Sequence, residues 1–274
     1  MPYVMPVAPG ILAADTITKL PPEADGAVVV SGSHGGRYPG YLAARAGLRG
    51  VILNDAGVGR DEAGIGSLPY LEALGIAAAA VSHLSARIGD TADMLARGRI
   101  SHANTIARAA GVEAGLSCRE AAERLQGAPL VRSDPPPLGE ARTEIATGGR
   151  RIVLLDSAAL VAPEDTGQIV VTGSHGGLVG GDPAMALRVE GFAAVFNDAG
   201  IGIDNAGITR LPALDARGIP AFTVSAASAR IGEARSSFEE GVISAVNEAA
   251  RRLGAREGER AAPLLRAWAM GDRL

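Results

Sequence analysis

The 274-residue chain has a net charge of −4, 47% hydrophobic residues and a mean hydropathy of +0.18, enough apolar material for one large or two modest domains. With a pI near 5.6, no basic run and no interleaved aromatics, it has little to offer a nucleic acid, and its single cysteine, Cys118, excludes a disulfide framework and a cysteine-based zinc site. No stretch reaches the length of a membrane span, the N-terminus lacks the basic and apolar regions of a signal peptide, and Lys19 is the one lysine; the expectation is a cytoplasmic protein with no membrane partner and no Schiff-base chemistry.

Along the chain, Ala27 to Ser31 reads as a strand that breaks into the loop Gly32-Ser33-His34-Gly35-Gly36. Tyr38 to Ala46 follows as a helix, Gly50 to Leu53 as a strand ending at Asn54-Asp55, Gly64 to Leu74 as a helix, and Ala77 to Val81 as a third strand. Ile100 to Ala110 is predicted to be one long helix closed by Gly111, and Ser117 with Glu120 opens another through a capping box. Asp134-Pro135-Pro136-Pro137 and the turn Thr147-Gly148-Gly149 mark a linker over 133–150 between an N-terminal unit, 1–132, and a C-terminal unit, 151–274. Strands are expected again at Arg151 to Leu155, Gln168 to Thr172, Ala193 to Phe196 and Ala221 to Val224. Apolar strands alternating with helices imply an α/β fold with parallel sheet layers flanked by helices.

The two units repeat each other. Val29 to Gly36 recurs as Val170 to Gly177, and Asp15 aligns with Asp156, at an offset of 141 residues; Asn54-Asp55-Ala56-Gly57 recurs as Asn197-Asp198-Ala199-Gly200 at an offset of 143. The later offset also carries Ser82, Ser85 and Arg87 onto Ser225, Ser228 and Arg230, and Ser101 and Asn104 onto Ser244 and Asn247. The expectation is an internally duplicated protein with pseudo-twofold related halves. They are not identical: His83 faces Ala226, His102 faces Ala245 and Arg60 faces Ile203.

In a parallel sheet the strand C-termini share one edge, where ligands bind, and the repeated polar residues fall there. His34 and His175 are the expected proton-transfer groups, with Asp55 and Asp198 as orienting carboxylates. Ser33, Gly35, Gly36, Ser174, Gly176 and Gly177 suit a backbone loop that approaches a ligand closely and offers amides to an oxyanion. Asn54, Ser82 and Ser85, and likewise Asn197, Ser225 and Ser228, complete the polar edge. Arg87 and Arg230 would clamp a carboxylate through the planar guanidinium, or pair internally with Asp55 and Asp198. The expected partner is therefore a small, anionic substrate. The leading reading is a hydrolase of a small polar or anionic carbonyl compound, with no cofactor. The alternatives are an isomerase or racemase with one base from each half, a metal-dependent hydrolase using His34, Asp15, Asp55 and Asp61 on a divalent ion, and a carboxylate-binding protein without chemistry. Cys118 reads as structural and His102 as a surface residue on a helix. Leu264, Leu265 and Trp268 form an apolar stripe suited to homo-oligomer contact or to core.

Overall fold

A computed structural model describes residues 4–271. It is an α/β structure of two similar halves, each a six-stranded mixed sheet covered by helices. The first sheet runs in chain order β1 (Val4–Ala8), β2 (Ile11–Ala14), β3 (Val28–His34), β4 (Gly50–Asn54), β5 (Ala77–Val81) and β6 (Ile100–Ala103). The four central strands are parallel, and β1 and β6 close the edges antiparallel. The second sheet repeats the order with β7 (Arg142–Ile145), β8 (Ile152–Leu155), β9 (Ile169–His175), β10 (Ala193–Asn197), β11 (Ala221–Val224) and β12 (Ile243–Val246), again antiparallel only at its two edges.

Period-two alternation sorts the apolar strand residues onto two faces. Val28, Val30, Ile52 and Val81 pack under α3 (Thr91–Arg97), α4 (Thr105–Ala109) and α5 (Cys118–Leu125), whereas Val29, Val51 and Leu53 pack under α1 (Arg37–Arg45) and α2 (Ser67–Ala73). In the second half α6 (Arg210–Asp215) covers one face, and α7 (Ala234–Glu239), α8 (Glu248–Arg252) and α9 (Ala261–Met270) cover the other. The segment standing where α1 stands in the first half forms no α-helix, only short 3-10 turns at Val179–Gly181 and Pro183–Met185.

Several expectations are corrected. Ile100 to Ala110 is not one helix: its first residues form edge strand β6, and Asn104 then caps the short α4 by accepting from Ala107 N. Asn104 also bonds Ala78 N and Ile76 O, so its side chain is spent on joining strand to helix, and Asn247 does the same with Ala250 N, Ala221 N and Ile219 O. His102 accordingly lies on a strand, beside Ser101. The expected linker contains β7, whose residues join the second sheet at its edge. Of the two roles open to the stripe Leu264, Leu265 and Trp268 it takes that of core, with Trp268 edge-on to Phe192 and Phe222 and its indole N–H donating to Leu253 O at 2.9 Å.

The halves meet at the C-terminal edges of their parallel strands. Ala56, Ile88, Ala199, Ala206 and Ile231 form a small apolar cluster there. Across it Arg60 N donates to Ala226 O at 2.8 Å, Ile203 N to His83 O at 2.9 Å and Gly180 N to Gly89 O at 2.8 Å. Arg230 reaches Asp61 at 2.8 Å, and Arg97 reaches Asp204 at 2.5 Å. The loops that dock carry left-handed backbone at matching non-glycine positions: Ala56, Val58, Asp61 and Glu62 in one half, Ala199, Ile201, Asp204 and Asn205 in the other. A β-branched residue at positive φ is sterically disfavoured, so Val58 and Ile201 hold strain that the docked loops must outweigh.

Candidate functional site

A cavity of about 370 Å³ opens between the halves. Corresponding segments of both line it: Asp15 to Lys19 after β2 and Ser157 to Ala159 after β8, Ser33 and His34 at the end of β3, Ser174 and His175 at the end of β9. Tyr38, Pro39 and Leu42 of α1 add one wall, and the irregular segment with Val179, Asp182, Met185 and Arg188 adds another. Glu140, from the segment joining the halves, and Arg210, from the start of α6, complete it.

Both imidazoles are held neutral. Gly36 N donates to His34 Nδ1 at 3.2 Å, which leaves the ring proton on Nε2 in the neutral form. Burial depresses His34 to about 4. His175 is 6% exposed, and the Gly177 backbone amide faces its Nδ1 without reaching good hydrogen-bond geometry. Burial, then the Arg210 guanidinium, then His34 itself push it well below the usual imidazole range. The two rings therefore stand close enough to feel each other's charge, and each lies against the glycine of the other half's Ser-Ala-Arg-Ile-Gly loop, His34 by Gly232 and His175 by Gly89.

Glu140 behaves in the opposite sense. Burial, with the Asp156 carboxylate nearby, raises it to about 7 against the opposing hydroxyl of Ser157. Tyr38 is raised by burial and then by Glu140. Arg210 is 4% exposed; its Nε donates to Gly177 O at 3.0 Å and its Nη1 to Met185 O and Ala186 O at 2.9 and 2.6 Å.

Of the residues expected to act, the cavity gathers His34, His175, Ser33, Ser174 and Asp15. The others serve the framework. Asp55 does not orient His34: it accepts from His83 N and Nδ1 at 2.9 and 2.8 Å and from Ser101 at 2.8 Å. Burial alone would raise it, but these bonds outweigh burial and hold it below the usual carboxylate range. Asp198 accepts from Gly200 N and Ala226 N and is equally far from His175 in role, closing its own loop. Asn54 and Asn197 bond Ala56 N and Ala86 O, and Ala199 N and Ala229 O. Ser82 and Ser225 cap the next turns, while Ser85 and Ser228 tie that turn to Arg99 N and Val242 N.

The glycine loops are also reassigned. Gly35 N and Gly176 N each donate at 2.7 Å to the carbonyls of Asn54 and Asn197, and Gly36 N is spent on His34, so these amides are not free for an oxyanion. None of Gly35, Gly36, Gly176 and Gly177 has positive φ; a Cβ on Gly35 would come within 2.5 Å of Gly64 O, and one on Gly176 within 2.4 Å of Gly207 O. Close approach of backbone to backbone is what requires glycine there.

Arg87 and Arg230 are outside the cavity lining and pair with neither Asp55 nor Asp198. Arg87 binds Asp93 at 3.0 Å and Asp90 at 3.4 Å, acids at the start of α3, and Arg230 binds Asp61, Glu233 and Glu240. Asp61 is thereby held on Arg230 and Asp55 on His83, so His34, Asp15, Asp55 and Asp61 do not converge. No group of three or more His, Cys, Asp or Glu side chains is arranged for a metal ion among the described residues. Cys118 is buried, its thiol pushed up to about 12 by burial.

Sequence reasoning overlooked Glu140, Arg188, Arg210 and Tyr38. Arg210 had a readable signal, since the repeat aligns it with Ser67, a change of charge between copies. Glu140 had none, lying in a segment without repeat or period. A scan of protein-family models and searches of curated proteins and of solved structures each find no match to this chain.

Proposed function

We propose that this chain is an internally duplicated, pseudo-twofold enzyme that transfers protons on a small molecule held between its halves, an isomerase- or racemase-type reaction. The observation that carries this reading is that His34 and His175, ending corresponding strands β3 and β9, line one cavity and are both neutral there. A proton-transfer reaction needs an unprotonated acceptor and a protonated donor at one place. At neutral pH Glu140, with its carboxyl near 7, is present in both forms and can give or take a proton, and the neutral imidazoles share its cavity as weaker, unprotonated acceptors. The hydrolase reading has less support, because the loop amides it needs as oxyanion donors are bonded within the fold.

The test is hydrogen exchange at carbon. Incubated in D₂O with chiral 2-substituted carboxylic acids, the protein should replace the hydrogen on the stereocentre with deuterium, read by proton NMR. His34→Asn and His175→Asn should each lower the exchange rate about 100-fold or more. Cleavage of esters or amides without exchange would return the hydrolase reading, and binding without either would leave a carboxylate-binding protein.

A further inference from the structure

We propose that Arg210, with Arg188 beside it, is the docking point for a carboxylate on the cavity's ligand. This names the substrate class for the site and rests on the reading that the cavity is where the chain works.

Arg210 is an uncompensated buried cation. Its Nε and Nη1 are satisfied by the carbonyls of Gly177, Met185 and Ala186, and its Cζ lies 4.9 Å from the centre of the Phe196 ring. Among the described residues its Nη2 makes no hydrogen bond and no carboxylate stands within ion-pair distance. A guanidinium carries five N–H donors in a fixed fork, so the Nη2 pair is left over in a residue that lines the cavity. A charge taken out of water without a counter-charge is costly, and buried charges are ordinarily paired. Burial is severe enough to pull even this guanidinium down to about 10. The other half has Ser67 in the same place, so this charge is one that the two halves do not share.

Arg188 reinforces that charge. Among the described residues its Nη2 donates only to the carbonyls of Ala158 and Ala159, at 3.3 and 2.9 Å, and its charge is near enough to depress Arg210 further. Neither guanidinium forms an ion pair among the described residues, which leaves both charges open to a ligand's anion.

The anion's chemistry follows from the remaining lining. Asp15 and Asp182 share the cavity, so a phosphate dianion meets about twice the repulsion that a singly charged group does. A carboxylate is planar and matches the guanidinium with two parallel bonds. The walls of Ile17, Leu42, Val179 and Met185 would then receive an apolar or weakly polar remainder.

Isothermal titration calorimetry tests this without turnover. Propionate, butyrate and benzoate, their primary amides and inorganic phosphate are titrated into the intact protein. Wild type should bind the carboxylates at least tenfold more tightly than the amides and than phosphate. Arg210→Lys and Arg210→Gln should weaken carboxylate binding about 100-fold, and Arg87→Gln, altering an ion-paired guanidinium outside the cavity, should leave it unchanged. Because Arg210 also holds three carbonyls, its variants are checked for folding. Arg188→Gln, at an exposed residue, provides the second reading, with a loss of about tenfold expected. Equal binding of amides and acids, tighter binding of phosphate, or unchanged carboxylate binding in Arg188→Gln together with any folded Arg210 variant would overturn the proposal. Carboxylate binding lost in these variants, with no deuterium exchange on any acid, keeps the anchor and removes the proton-transfer reading. Exchange that runs equally well on amides does the reverse.

Discussion

Glu140 and His34 bind protons in opposite senses on folding, and this sets how stability should respond to pH. The native state keeps Glu140 protonated up to about 7, whereas an unfolded chain releases that proton near 4.5. Its contribution is therefore complete below 4.5 and lost as pH rises through 7. For His34 the unfolded chain takes up the proton near 6.5 and the native state only near 4, so its contribution is present above 6.5 and lost as pH falls through 4. That interval corresponds to about 3 kcal/mol for the histidine. Melting temperatures measured from about pH 4 to pH 8.5 should show Glu140→Gln gaining on wild type at the alkaline end. They should show His34→Asn losing less than wild type at the acid end. Parallel curves for both variants would mean that neither group is buried in the way described. Arg210 and Glu140 also mark where residue-level reading of a sequence stops. An arginine is unremarkable among 26 cationic residues until its burial is known, and a glutamate in a proline-rich segment carries no period to follow.

At the level of elements, the Asn-Asp-Ala-Gly loops decide how closely the halves approach. Gly57 and Gly200 face one another across the seam, both at φ +75. A Cβ on Gly57 would lie 2.8 Å from Gly200 Cα and 3.0 Å from its N, with only backbone to give way. Gly57→Ala should thus cost about 3 kcal/mol, from overpacking and left-handed strain together. Gly139→Ala, with open space around the new Cβ, should cost little and serves as the control. Urea midpoints read both, and an unchanged midpoint for Gly57→Ala would show that the seam gives way easily. The repeat made the central strands other than β2 and these loops legible, because buried parallel strands are continuous apolar runs and their loop residues recur at a constant spacing; Ile11–Ala14, a run of four residues near the N-terminus, was missed. Edge strands were harder to read. In β6 the run Ile100 to Ala103 leads straight into α4, so strand and helix merge into one helical-looking window. β1 and β7 have mixed, half-exposed patterns, and pairing with a neighbour, not local periodicity, makes them strands.

For the molecule as a whole, the accessible surface of 11027 Å² matches the roughly 11,000 Å² expected of one compact monomer of 27.7 kDa. Two halves folded separately would expose more, so the seam buries surface of both. The cavity lies on that seam, and its two histidines each rest against the opposite half, so site geometry and the mutual docking of the halves stand or fall together. The chain contains its own reporters of this coupling. Trp268 is the one tryptophan and is buried in the second half, while Tyr38, Tyr41 and Tyr70 lie in the first. If the halves unfold as one unit, tryptophan fluorescence and tyrosine second-derivative absorbance should trace a single urea transition with one midpoint. Ile231→Asp places an unpaired carboxylate in the apolar cluster beside Ile88, Ala56 and Ala199, which removes the favourable contact and leaves a buried charge. That variant should separate the two transitions, and carboxylate binding in the cavity should disappear with the lower one. Wild-type transitions that are already separate would mean the halves are independent. Coincident transitions at an unchanged midpoint in Ile231→Asp would mean that the seam contributes nothing to holding the halves together.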